Sequence, residues 1–318
     1  MGGLVVKTYI EPEVGGNAIV SIATGGDFLA QWERNSQQGW EAYCRRHNLG
    51  LLIFDEELIC KDAANWKKVH WQKTLLGKAL LERGCKARNI CFLDTDILIN
   101  PIAPNIFDGY DPTTFGLVSL RQRLPFPYEE VLRRMAFLRH SHYDNSYPLD
   151  SALFMSVEQL YEFHGLQPQD DEACTGVILF NLEAHSELME SWFHKYDSDV
   201  KSITNGGEQT HLNFEIQRTK KVTWLDYRFQ AIWAFEMAWK YPFLYDGYHG
   251  NESLARACIE ACLYQNHFLH FAGYWHESQM WKLGGFFADP AQAELLQTYR
   301  AYLETPVTGQ PKGIIRPK

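Results

Sequence analysis

Short apolar runs and longer segments of helical periodicity alternate along the first third of this chain. Residues 17–24 hold Ala18-Ile19-Val20-Ser21-Ile22-Ala23, a run of β type. Gly25-Gly26 makes a turn, Asp27 is placed to cap, and a helix is expected over about 28–46, broken or bent near Gly39. Residues 51–55 read as a second buried strand, Leu51-Leu52-Ile53-Phe54, that ends in the carboxylate of Asp55. Across 65–83, Val69, Leu76 and Leu80 recur at helical spacing, with Trp66 and Ala79 eligible for the same face and Gly84 as the stop. Residues 90–93 form the third strand.

Strand, helix, strand, helix, strand is the order of an α/β sheet with helices on its faces, expected to be mixed and mostly parallel. Ligands of such sheets bind beyond the carboxyl ends of strands. Thr24, Asp55 and Asp94 all stand at such ends and are expected on one rim. The later pattern is mixed. Strands are expected at 115–120, 176–181, 222–225 and 268–271, and helices at 183–196, near Gly207 and at 290–303, the last capped by Asp289 with Pro290 in its first turn. Residues from about 121 to 172 read as an insertion with helices at 128–139 and 156–163. There is no internal repeat or Gly/Ser linker, so the expected organisation is one domain over 1–285, followed by a C-terminal helix and a loose tail over 286–318.

The length, 318 residues with 46% hydrophobic, is ample for one large core. A net charge of -9 argues against a general nucleic-acid binder, whose surface is normally basic. The cysteines, 44, 60, 85, 91, 174, 258 and 262, are odd in number and lack any CxxC, as expected of reduced thiols in a cytoplasmic protein. Cys258 and Cys262 can share a helix face, but two thiols without further ligands make a poor zinc site. The N-terminus has neither a basic region nor a long apolar core, and nothing approaches the about 20 apolar residues of a membrane span. Peripheral membrane association stays open.

Chemistry concentrates in three places. In Cys91-Phe92-Leu93-Asp94-Thr95-Asp96-Ile97-Leu98-Ile99, two carboxylates interrupt an apolar run. Unpaired carboxylates in a dry interior cost several kcal/mol, and a hard divalent cation at the strand end relieves that cost. On an extended backbone, residues i and i+2 point the same way, so Asp94 and Asp96 are expected to converge. Next, Asn266-His267-Phe268-Leu269-His270-Phe271-Ala272-Gly273 carries His270, either a core histidine or a third ligand beside the Asp pair. Finally, Gly207-Glu208-Gln209-Thr210-His211 sets an acid and an amide at a helix start, suited to sugar hydroxyls or to plain capping. Aromatic residues are dense at 227–248 and again at Tyr274, Trp275 and Trp281, where faces suit core packing or sugar rings.

Taken in order, these motifs resemble the metal-dependent GT-A-fold glycosyltransferases. The resemblance is to the retaining group of galactomannan galactosyl-, xyloglucan xylosyl- and yeast α-mannosyltransferases, and more distantly to the glycogenin and lipopolysaccharide galactosyltransferase group. It covers roughly 17–275 and rests on Ala23-Thr24, on Trp40 to His47 (a Y-C-x-x-H helix), on Trp71-Gln72-Lys73, on Phe92 to Ile99, on Thr175-Gly176-Val177, on Glu208-Gln209 and on His270-Phe271-Ala272-Gly273. The resemblance implies a GT-A fold and transfer of a hexose or pentose from a nucleotide-diphosphate sugar, UDP-linked, to a glycan or other hydroxyl acceptor. It implies Mn²⁺ or Mg²⁺ on Asp94, Asp96 and His270, and a donor site of Ala23, Thr24, Asp55, Lys73, Asp94, Thr95 and Asp96. By the same resemblance, Glu208 and Gln209 lie beside the reacting face of the sugar; Trp275, just after the His270 motif, is the acceptor candidate. Two positions depart from the group: Thr175 stands where Asn or Ala is common, and Glu208 where Asp is common.

In the chemistry so implied, charge grows on a departing diphosphate, which a divalent cation and Lys73 offset. Gln209 fits an electrostatic neighbour of an oxocarbenium-like sugar better than a nucleophile, because a neutral amide attacks poorly. Two alternatives remain. A haloacid-dehalogenase-type phosphatase also uses an apolar strand followed by Asp-x-Asp, but on its first strand. The other is a binding protein for sugar nucleotides or glycans without turnover.

Overall fold

A computed structural model describes residues 6–25, 27–143, 151–197, 207–219, 221–246 and 251–286. The expected helix at 290–303 and the tail lie outside the described residues. The chain divides into two compact units, Met1–Gly284 and Gly285–Lys318. The described strands and helices all belong to the first.

The elements, in order, are β1 (Val6–Ile10), β2 (Asn17–Ile22), α1 (Phe28–Asn35), α2 (Gln37–Arg46), β3 (Gly50–Phe54), α3 (Val69–Gln72), α4 (Leu76–Glu82), β4 (Asn89–Leu93), β5 (Ile97–Ile99), β6 (Phe115–Ser119), α5 (Tyr128–His142), α6 (Val157–Phe163), β7 (Ala173–Asn181), α7 (Leu182–Lys195), α8 (Gln209–Thr219), β8 (Val222–Leu225), β9 (Ala231–Ile232), α9 (Trp233–Lys240), α10 (Glu252–Gln265) and β10 (Phe268–His270). A 3-10 turn, Lys73–Leu75, joins α3 to α4, and another spans Glu277–Leu283.

Seven strands form the central sheet in the order β1-β3-β2-β4-β7-β6-β8, and β5-β10-β9 make a second, small sheet. The central sheet is mixed rather than mostly parallel. β2 runs parallel to β3 and β4, and β6 to β8, but β1–β3, β4–β7 and β6–β7 are antiparallel. The departure comes from β7, which enters beside β4 in the opposite sense, and from β1 at the edge.

Both faces of this sheet are covered. Val20, Leu52, Phe92 and Ile178 pack on one side with Leu76, Leu80 and Trp192. Their strand neighbours Ile19, Leu51, Cys91 and Leu179 pack on the other with Trp32, Trp40 and Tyr43. The period-two alternation of β-strands thus serves two cores, which is why these strands read as continuous apolar runs.

Local expectations differ from the structure in instructive ways. The long helix at 28–46 breaks at Ser36, not at Gly39. Gly39 stays helical, and a Cβ there would lie 3.0 Å from the Ile99 carbonyl oxygen, so this glycine serves close approach of α2 to β5. Asp27 precedes α1 but its side chain makes no capping bond. The helical run expected from 65 begins only at Val69; Trp66 is instead tied by its indole N–H to Glu57. No helix among the described residues is long and apolar enough to cross a membrane.

Candidate active site

The site forms where the two sheets meet. β4 ends at Leu93, and the Asp94 amide donates to the Gly176 carbonyl of β7 at 2.9 Å. The chain then turns through Asp94-Thr95-Asp96 and enters β5. The two aspartates therefore sit at the end of β4 as expected, but on a turn rather than on the extended backbone that would point residues i and i+2 the same way. β5 pairs antiparallel with β10, so that His270 lies opposite Ile97, and the Phe271 amide donates to the Asp96 carbonyl at 3.1 Å. This register brings the imidazole to the carboxylates. Ligand atoms of Asp94, Asp96 and His270 all lie within 4.8 Å of one another. His270 Nε2 is 3.3 Å from Asp96 Oδ1 and 3.7 Å from Asp94 Oδ2.

Gly176 makes this convergence possible. A Cβ on it would stand 2.3 Å from His270 Cε1, 2.8 Å from Asp94 Oδ2 and 2.8 Å from Gln230 Nε2. Two carboxylates and one imidazole are a donor set for a hard to borderline divalent cation, and the residues present fit one. The titration behaviour agrees. Burial raises the Asp94 carboxyl above its ordinary range, against the pull of Lys73 and His270. Burial disfavours the His270 imidazolium, yet Asp96 outweighs it and holds the ring protonated well above the usual histidine range. A cation would ease the first shift by neutralising the carboxylate, and at His270 it would take the place of a ring proton.

Beside the cluster lies a buried ion pair. Lys73, 4% exposed, reaches from the turn between α3 and α4 and lies 3.1 Å from Glu208 Oε1 and 3.7 Å from Asp94 Oδ1. Its ammonium also donates to the Thr175 carbonyl at 3.0 Å. Burial works against this charge, but Asp94 and Glu208 hold the lysine above its usual range. For Glu208, burial is likewise outweighed, by Lys73, His70 and the Thr175 hydroxyl, so its carboxyl stays below the usual range. Glu208 Oε1 accepts from Thr175 Oγ1 at 2.9 Å, whereas Oε2 is buried with no protein partner. The Thr24 hydroxyl is also buried and unpartnered. Such atoms cost free energy unless something donates to them or accepts from them, and both residues border the same cavity.

That cavity measures about 1330 Å³ and is bordered by Asp94, Thr95, Asp96, His270, Lys73 and Glu208, among others. Gln209 and Trp275 border it as well. Ala23 and Asp55 do not: Ala23 is buried at the end of β2, and Asp55 lies 3.7 Å from Lys7 at the end of β3. Trp275 carries the guanidinium of Arg139 over its ring, 4.4 Å from the centroid.

Sequence reasoning passed over four neighbours. Gly176 sits within the Thr175-Gly176-Val177 motif but carried no role of its own. Gln230 places Nε2 3.1 Å from His270 Nδ1, and Cys174 Sγ lies 3.6 Å from the same nitrogen. Glu172 accepts from Gln209 Nε2 at 2.7 Å. Only the glycine had a local signal, because the other three contacts arise between segments distant in the chain.

No family model matches this chain, and none of the curated proteins matches it. Solved structures similar to it include a glycosyltransferase involved in glycosylation of the major capsid of PBCV-1, 10% identical, at a TM-score of 0.46 over 83% of this chain and 98% of that one. Another is the galactosyltransferase LgtC in complex with donor and acceptor sugar analogs, 13% identical, at a TM-score of 0.45 over 88% and 99%. A third is mouse xyloside xylosyltransferase 1, 12% identical, at a TM-score of 0.37 over 80% and 97%. At this level of likeness, the reaction has to be read from the site's own chemistry.

Proposed function

We propose that this chain is a metal-dependent glycosyltransferase of GT-A type, moving a hexose or pentose from a UDP-sugar to a hydroxyl acceptor with retention of configuration. The observation that carries the reading is the meeting of Asp94, Asp96 and His270 at a strand end, beside the buried Lys73–Glu208 pair, on one cavity. A cavity of about 1330 Å³ is larger than the usual 300–1,000 Å³ of a small-molecule site, which suits two substrates side by side.

Asp94, Asp96 and His270 would hold Mn²⁺ or Mg²⁺, which when bound offsets the charge that grows on a departing diphosphate. Lys73 adds a fixed positive charge at the same place, kept protonated by its two carboxylates. Thr24 and Thr95 border the cavity and would line its donor side; Ala23 and Asp55 do not border it. Glu208 borders the cavity and its Oε2 is buried without a protein partner, so a turn of the side chain towards the cavity would let it accept from a sugar hydroxyl. Gln209, neutral and bordering the cavity, stabilises developing positive charge on the sugar without attacking it. Trp275 offers a face to the acceptor sugar. The catalytic domain is 1–285, with about 121–172 on the acceptor side, and the protein acts in the cytoplasm.

The test is a panel of nucleotide sugars with Mn²⁺, read by donor hydrolysis and by thermal shift, on the wild type and on Asp94→Ala and Asp96→Ala. The expected result is turnover of at least one nucleotide sugar in the wild type, lost in both variants together with metal-dependent nucleotide binding. Unchanged turnover in either variant, or phosphate release from sugar phosphates with no action on nucleotide sugars, rejects the reading.

A further inference from the structure

Gln209 has its amide spoken for before any ligand arrives. Its Nε2 donates to Glu172 Oε1 at 2.7 Å. Glu172 is fully buried, and its other oxygen accepts from Arg121 Nε at 2.5 Å. Arg121, itself 7% exposed, is fixed in turn: Nη1 donates to the carbonyls of Leu153 at 3.2 Å and Met155 at 2.7 Å, and the guanidinium lies over the Tyr128 ring. The first turn of α8 is tied to β7 separately. Asn213 Oδ1 accepts from the Ala173 amide at 2.8 Å, and its Nδ2 donates to the Ala173 and Gln209 carbonyls at 2.8 and 2.9 Å. Backbone and side chain of Gln209 are thus both held to the start of β7.

A side-chain amide has a donor end and an acceptor end, and its neighbours decide which way it faces. A carboxylate paired with a guanidinium offers acceptors only. Glu172 therefore takes an N–H of Gln209 and turns the amide oxygen away from itself, on a side chain that borders the cavity. The difference matters for glycosyl transfer, because the sugar becomes cation-like as the bond to the leaving group breaks. An amide oxygen stabilises that charge, and an amide N–H opposes it.

We propose that Glu172, locked by Arg121, is a positioning residue that sets the polarity of Gln209 so that its carbonyl oxygen faces the reacting sugar. This rests on the glycosyltransferase reading above and deepens it. Glu172 touches no substrate and acts only through Gln209.

The discriminating variant is Glu172→Gln. With Arg121 still donating to it, the new amide turns its oxygen to the guanidinium and its nitrogen to Gln209. Gln209 then reverses and presents N–H to the cavity. The expected result is a fall in kcat of tenfold or more, with the KM for the donor and the affinity for UDP with Mn²⁺ unchanged within about twofold, since neither Glu172 nor Arg121 borders the donor cavity. Combining Glu172→Gln with Gln209→Ala should be no worse than Gln209→Ala alone, because the residue through which Glu172 acts has gone. Arg121→Gln with Glu172→Gln removes both buried charges at once and keeps the fold if the single variant unfolds; without the guanidinium the amide at 172 no longer fixes Gln209 either way round, so kcat should fall, by less than in Glu172→Gln, with the donor KM unchanged. Losses that multiply in the Glu172→Gln/Gln209→Ala double variant, or a loss seen in KM with kcat intact, would overturn the proposal while leaving the transferase reading standing. A wild type inactive on every nucleotide sugar would overturn both.

Discussion

Gly176 lies so close to His270 that a single added methyl group would stand 2.3 Å from the ring carbon Cε1. The same methyl would crowd Asp94 Oδ2 and Gln230 Nε2, both at 2.8 Å. The atoms met are side-chain ends, so Gly176→Ala should fold, at a cost of roughly 1–3 kcal/mol for overpacking. The cluster itself must open. The expected outcome is a loss of Mn²⁺ affinity of tenfold or more in a calorimetric titration, although no proposed ligand has been changed. Undiminished affinity would place the ion somewhere else.

Lys73 and Glu208 are each about 4% exposed at the side chain and 3.1 Å apart. Lys73→Met leaves Glu208 as an uncompensated buried anion, which should lower stability by about 3–5 kcal/mol. Adding Glu208→Gln removes the second charge and should return most of that loss. Activity should not return, since the positive charge beside the cluster is still missing. Urea unfolding and donor turnover, measured on the single and double variants, separate the two effects. A single variant as stable as the wild type would show that the pair is not closed off from water.

Much of this was legible in the sequence, and the pattern of what was not is physical. The apolar runs of β2, β3 and β4 announced themselves because each is buried on both faces. The Asp94-Thr95-Asp96 interruption stood out against that background. His270 drew attention for a charged ring inside Phe268-Leu269-His270-Phe271. β5 and β9 did not, because strands of three and two residues carry no readable alternation. The direction of β7 was equally hidden: a run such as Gly176-Val177-Ile178-Leu179-Phe180 has the same composition in either sense, and its antiparallel seat beside β4 is a property of the assembled sheet. Glu172 and Gln230 had no local mark, since each acquires its partner from a segment about 40 residues away.

Two histidines away from the cluster predict a pH dependence of stability. Burial, with His164 adding to it, lowers His211 from an ordinary 6.5 to about 4. Burial, with Arg228 adding to it, does the same for His267. A histidine depressed in the folded state takes up a proton more readily when unfolded. Unfolding is therefore favoured as pH falls from about 6.5 towards 4, by up to about 3 kcal/mol for the buried His211 and by less for His267, which is partly open to solvent. Above 6.5 both contributions are fully present. Unfolding free energies measured by urea between pH 7.5 and 4.5 should fall steeply in this window, and His211→Gln should flatten the fall. An identical slope in the variant would mean that the ring is hydrated in the folded state.

Trp275 tests the acceptor side separately from the donor side. One face of its indole is taken by the Arg139 guanidinium, which is itself buried and held by Glu277 through bonds of 2.8 and 3.1 Å. The ring thus rests against a guanidinium that is itself held by a carboxylate, and it borders the cavity. A rigid aromatic face of this kind contributes roughly 1 kcal/mol to stacking against a ring. Trp275→Ala should raise the acceptor KM severalfold while leaving donor hydrolysis and binding of UDP with Mn²⁺ unchanged. Arg139→Met should act in another way, lowering stability by about 3–5 kcal/mol because Glu277 would be left buried and unpaired. If Trp275→Ala weakens donor binding instead, the tryptophan belongs to the nucleotide side, and the acceptor must enter past other residues of the rim.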